Sequence, residues 1–177
     1  MGTLKNKTLR LILGDQLNIN HSWFAKADDA VTYVLMEIKS ETDYVKHHVQ
    51  KVVGIFAAMR EFAEQLQKLQ HKVIYIKLND QNNQHSFDKN CLHLIKQYGF
   101  TSFEYQQPDE YRVDKHLKEF AESLNISFSM VDSEHFYSNR DELAKLFAGK
   151  KTYLMETFYR FMRKKHHVLI DGKGDPL

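Results

Sequence analysis

Cysteine is almost missing from this sequence of 177 residues: Cys91 stands alone, which excludes an internal disulfide and any metal site built from several thiolates of the chain. A sequence that forgoes disulfides suits a reducing compartment, so a cytoplasmic location is expected. Proline occurs twice and glycine seven times, too few to break the chain often, so regular elements are expected to dominate. No apolar run is long enough to span a bilayer, and the polar opening does not have the layout of a signal peptide. A formal charge of +2 gives no general electrostatic reason to bind nucleic acid. Neither the GxGxxG cradle nor the Walker lysine motif is present, which removes the usual phosphate-binding loops, and no HExxH marks a zinc site.

What is present reads as an alternation of strands and helices. Residues 8–13 form a short apolar run closed by Gly14, and residues 31–38 are rich in β-branched and aromatic side chains. Ser40 and Asp43 have capping-box spacing ahead of a long helix over 43–70. Its apolar stripe is Val45, Val49, Val52, Phe56, Met59, Ala63, Leu66 and Leu69. Residues 73–78 follow as a third strand, then a helix from Ser86 to a stop at Gly99. Residues 103–105 make a fourth strand, 109–124 a helix with Val113, Leu117, Phe120 and Leu124 inward, and 126–131 a fifth strand. Ser138 and Asp141 repeat the capping spacing before a short helix ending near Gly149. A basic, aromatic helix spans 153–167, and the last residues have the composition of a linker. Such alternation implies a parallel sheet covered on both faces, a doubly wound α/β fold.

In open parallel sheets, ligands sit beyond the carboxyl ends of the strands. Gly14, Asp15 and Gln16 occupy that place after the first strand, and two readings stand: a polar pair facing a hydroxyl-rich ligand, or a turn whose Asp caps its own backbone. The second strand ends near Ile38, and Glu41 lies in the loop beyond it. Tyr44, His47, Lys51 and Ile55 then recur on one helical stripe. An aromatic ring, an imidazole and a carboxylate converging on a crevice suit a planar heteroaromatic ligand; a solvated helix end carrying an amphipathic tyrosine is the plain alternative. The pairs His47-His48 and His166-His167 point about 100° apart on a helix, so neither makes a shared metal site. Cys91 lies among Leu92, Leu94 and Ile95 and reads as an inert core thiol. Arg160, Arg163, Lys164 and Lys165, interleaved with aromatics, suit either phosphate contact or a helix docked on another domain.

Four stretches carry a family resemblance: LRLILGDQL at 9–17, YVKHH with IFAAMREFAEQL at 44–48 and 55–66, PDEYRVD at 108–114, and TYLMETFYRFMRKKHHVLI at 152–170. Together they resemble the N-terminal region of the bacterial photolyase-related proteins, the iron–sulfur cryptochromes and (6-4) photolyases. The resemblance runs through nearly the whole chain in the right order.

It implies a Rossmann-like sheet of five parallel strands in the order 3-2-1-4-5, with residues 1–150 as a domain for an antenna pigment. Residues 151–177 would be a basic-aromatic helix and the start of a linker. The pigment implied is 6,7-dimethyl-8-ribityllumazine, held by Gly14, Asp15, Gln16, Met36, Glu37, Glu41, Tyr44, His47 and Ile55. FAD and a [4Fe–4S] cluster are implied only for a C-terminal half that this sequence lacks, which one cysteine could not supply. That half would be the domain's partner and its main route to DNA, with no membrane involved. The chain alone would harvest light without repairing (6-4) lesions. Two further readings remain open from the residues: a Rossmann-like nucleotide- or metabolite-binding domain, and an interaction module docking through its last helix.

Overall fold

The structure, a computed structural model, describes residues 6–175. Five strands, β1 (Thr8–Leu11), β2 (Val31–Met36), β3 (Lys72–Ile76), β4 (Ser102–Gln106) and β5 (Ser127–Val131), form one sheet in the order β3-β2-β1-β4-β5. All four pairings are parallel, as the alternation of elements and the resemblance imply. The helices between them are α1 (Lys39–Thr42), α2 (Val49–Lys68), α3 (Phe87–Tyr98) and α4 (Tyr111–Ser123).

Successive strand residues point to opposite faces, so the central strands must be apolar on both. Leu9, Leu11, Val34, Met36, Phe103 and Tyr105 pack on one side against α3 and α4, through Cys91, Leu94, Val113, Leu117 and Phe120. Ile12, Val31, Tyr33 and Leu35 pack on the other side against Met59, Phe62, Ala63 and Leu66 of α2, together with Trp23 and Phe24 of a short 3-10 turn (Ser22–Phe24). Cys91 is fully buried in the first of these layers, and burial pushes its thiol far above the ordinary value. It is therefore an inert core thiol. Gly99 adopts φ +66° and closes α3, its N–H donating to the Ile95 carbonyl.

The second helix departs from the sequence reading. It begins at Val49, not near Asp43, because His48 caps it: the imidazole Nδ1 accepts the Gln50 N–H at 3.2 Å. Ser40 is inside the single turn of α1, whose N-cap is Ile38, so the Ser40–Asp43 capping box does not form. Val45, Val49 and Leu69 are exposed (48%, 67% and 52%), and the core stripe narrows to Met59, Phe62, Ala63 and Leu66. The N-terminal half of α2 stands beyond the strand ends, where there is no sheet to cover.

The chain separates into two compact units, one reaching Ser133 and the other starting at Glu134. The second contains α5 (Glu142–Leu146) and α6 (Met155–Lys165). Asp141 precedes α5 but makes no side-chain cap; its carboxylate pairs with Lys145 instead, so the second capping box is also not formed. Within this unit Lys165 of α6 is paired with Glu142 of α5, and the Phe147 ring packs edge-on against Tyr153 at 5.3 Å. No helix among the described residues is long and apolar enough to cross a membrane.

Candidate functional site

Beyond the carboxyl ends of β1, β2 and β4 lies a cavity of about 300 Å³. This is where the strand order reverses, since β1 leads to β2 on one side and β4 leads to β5 on the other. Leu13, Gly14 and Asp15 enter from the end of β1, and Met36 and Ile38 from the end of β2. Glu41, Thr42, Tyr44 and His47 come from the segment leading to α2. Lys51, Val52, Ile55, Phe56 and Met59 form the wall along α2. Phe87 of α3 and then Pro108, Glu110 and Val113, after β4, complete it. The lining is mostly hydrocarbon, with the acidic residues Asp15, Glu41 and Glu110 beside Tyr44 and His47.

Gly14 is where α2 comes down onto the loop after β1. A Cβ built there would stand 3.1 Å from both Ile55 Cγ2 and Met59 Sδ. Both neighbours line the cavity, so a side chain at 14 forces its wall to shift. Gly14→Val is therefore expected to weaken ligand binding at least tenfold while the cooperative melt is retained, since the displaced groups can move into free volume. Parallel thermal melts and ligand titrations check this, and undiminished affinity would contradict it.

The segment between β2 and α2 is tied across the cavity by Arg112, on the first turn of α4. Its Nη1 and Nη2 donate to the two Glu41 carboxylate oxygens at 3.2 and 3.0 Å, and its Nε donates to Glu110 at 2.7 Å. The same guanidinium lies 4.3 Å from the centre of the Tyr44 ring. Hydrogen bonds to the Glu41 carboxylate, ahead of the Glu110 contact, raise the Arg112 pKa further above its usual value and keep it charged. Tyr44 meets His47 edge-on at 5.3 Å.

Seven of the nine residues singled out from the sequence come together here: Gly14, Asp15, Met36, Glu41, Tyr44, His47 and Ile55. They do so although Tyr44 and His47 precede α2 and share no helical stripe with Ile55. Gln16 and Glu37 are not part of the lining. The Gln16 amide is buried, accepting from the Leu13 N–H at 3.0 Å and donating to the Gln106 carbonyl at 3.1 Å, which fixes the turn after β1. Glu37 is fully buried, and its carboxylate accepts two hydrogen bonds from Arg60 (2.7 and 3.0 Å), one from the Tyr75 hydroxyl (2.8 Å) and one from the Leu78 N–H (2.9 Å). Side chains alternate across a strand, so Met36 facing the cavity turns Glu37 to the α2 side. The sequence reading assigned no site role to Phe87, Pro108, Glu110, Arg112 or Val113. The signal was available: PDEYRVD follows a strand end, as Gly14-Asp15-Gln16 does.

Residues 10–177 match the family described as deoxyribodipyrimidine photo-lyase-related protein. The chain belongs to the photolyase-related family. It is 35% identical over 166 residues to a (6-4) photolyase of Agrobacterium fabrum, an alignment covering 93% of this chain and 33% of the photolyase. This photolyase-related chain thus spans about a third of that relative's length. It is also 23% identical over 175 residues to the uncharacterized protein R852 of Acanthamoeba polyphaga mimivirus, covering 94% of this chain and 86% of the viral protein.

Proposed function

We propose that this photolyase-related domain holds an antenna pigment, 6,7-dimethyl-8-ribityllumazine, in the cavity at the strand ends, on behalf of a flavin carried elsewhere in a larger photolyase-type assembly. The supporting observation is the make-up of the cavity, which combines a hydrocarbon wall (Met36, Ile55, Phe56, Met59) with an aromatic ring and three acidic residues in the lining. At about 300 Å³ it is at the small end of the range for ligand pockets, which suits one compact heterocycle. An apolar wall beside ring-edge and hydroxyl acceptors matches a flat bicyclic ring with a polyol tail.

When bound, such a pigment absorbs near-ultraviolet to blue light and passes the excitation on through space. The protein's share is to hold orientation, exclude water and satisfy polar groups. Met36, Ile55 and Phe56 give the ring an apolar surround, Tyr44 and His47 an aromatic edge, and Asp15 and Glu41 accept hydrogen bonds from hydroxyl or ring N–H groups. The flavin, the iron–sulfur cluster and the repair of (6-4) lesions in DNA are assigned to the rest of that assembly. The single cysteine of this chain is enclosed in the core and is no cluster ligand.

Titration of the purified protein with 6,7-dimethyl-8-ribityllumazine, followed by pigment fluorescence, is expected to give saturable one-to-one binding. Absence of saturable binding to protein that melts cooperatively would overturn the reading.

A further inference from the structure

The motif at 108–114 links this chain to its family, yet the roles proposed for the site leave Arg112 unused. Its geometry is more specific than that of a surface ion pair. A single guanidinium bridges two carboxylates, Glu41 in a fork (3.2 and 3.0 Å) and Glu110 through Nε (2.7 Å), with the Tyr44 ring beneath it at 4.3 Å. Glu41 and Tyr44 come from one side of the cavity, Glu110 and Arg112 from the other.

We infer that Arg112 is the positioning residue of this site, a strap that ties residues 38–48 to the start of α4 and holds Glu41 and Tyr44 in their cavity-lining positions. The identity of the ligand rests on the pigment reading; the strap itself does not.

Three observations support it. The strapped segment has little regular structure of its own: α1 is one turn without a side-chain cap, and residues 43–48 are turn and coil. Tyr44 is 48% exposed, so packing against the core does not fix its ring. Glu41 and Glu110 are both acidic residues of the lining, and the guanidinium bonded to both offsets their like charge. Isolated exposed ion pairs contribute little, but a forked arginine shared by two carboxylates and stacked on a ring is the exception. Lysine has neither the fork nor the flat face.

The test uses Arg112→Ala and Arg112→Lys in the whole chain, read in two ways. Without ligand, amide hydrogen exchange over 41–48 is expected to speed up about tenfold in Arg112→Ala and nearly as much in Arg112→Lys, because the lost contact is a fork and not a charge. Amides of β1, β2 and α2 beyond Met59 are expected to keep wild-type protection, which also shows that the variants fold. With 6,7-dimethyl-8-ribityllumazine as the probe, the stopped-flow dissociation rate is expected to rise about tenfold with little change in association rate. Wild-type exchange over 41–48 in a folded Arg112→Ala protein would overturn the strap, as would full rescue by lysine. If the wild-type protein does not bind the lumazine, the pigment reading fails and the exchange data alone decide the strap.

Discussion

Glu37→Ala is expected to lower stability by about 3 kcal/mol, the low end of the range for breaking a buried ion pair. For a chain of this length that is a fall of roughly 6–12 °C in Tm. The carboxylate is fully buried and accepts from Arg60, Tyr75 and the Leu78 N–H, so its removal strands two partly buried donors and one arginine. The low end applies because the Arg60 side chain is half exposed (50%) and can rehydrate. The main chain at Glu37 adjoins the cavity. The Glu37 main-chain carbonyl accepts from Asn83 Nδ2 at 2.7 Å, and its neighbours Met36 and Ile38 line the cavity. Ligand affinity is therefore expected to fall along with Tm. A variant that melts within a degree or two of wild type would show that the network contributes little.

The same residue sets an acid limit. Burial alone would raise the Glu37 pKa, but hydrogen bonds from Arg60, the Leu78 N–H and Tyr75 outweigh it and hold the carboxyl below its usual 4.5. A group with a depressed pKa in the folded state contributes stability above its unfolded pKa and loses it as pH falls through the folded value. Glu37's contribution is thus intact at neutral pH and disappears on acidification below about pH 4.5. Glu37→Gln retains the shape and an acceptor but has no proton to gain. It is expected to be less stable than wild type at pH 7 and to show a flatter loss below pH 4.5.

The fold could be read from the sequence because each local signal agreed with the global one. The short apolar runs ending at Leu13 and Ile38 lie in the centre of the sheet, buried on both faces. Val113, Leu117 and Phe120 are buried at the spacing that announced them, and Gly99 ends α3 in the left-handed conformation. What misled was the front of α2. Its three-to-four spacing continues unbroken from Val45 to Leu69, yet Val52, Phe56 and Met59 face a cavity while Met59, Phe62, Ala63 and Leu66 face the sheet. Periodicity reports an apolar surround and does not say whether a strand or a ligand provides it. Nor does the sequence distinguish the buried carboxylate of Glu37 from the cavity carboxylate of Glu41, because their partners Arg60 and Arg112 are distant in the chain. Gln16 shows the same limit: its position beside Asp15 is evident, but the Gln106 carbonyl that turns it inward is not.

Removing Glu41 and Tyr44 together is expected to weaken lumazine binding by about a hundredfold, or about 3 kcal/mol. A hydrogen bond to a charged acceptor contributes about 1.5–3 kcal/mol, and an aromatic contact adds about 0.5–1.5 kcal/mol beyond the area it buries. The two losses are not independent, because Arg112 holds the carboxylate and covers the ring at once. Once Glu41→Ala has broken the fork, Tyr44 has lost part of its support, so Tyr44→Ala should then cost less than it does in the wild-type protein. A double-mutant cycle measured by fluorescence titration is therefore expected to give a sum of single losses larger than the double loss. Strict additivity would separate the two residues and count against a shared strap. Unchanged affinity in the double variant would move the pigment out of this cavity altogether. Neither residue contributes a fully buried side chain to the core, so both variants are expected to melt close to wild type, and a loss of affinity can be assigned to the site.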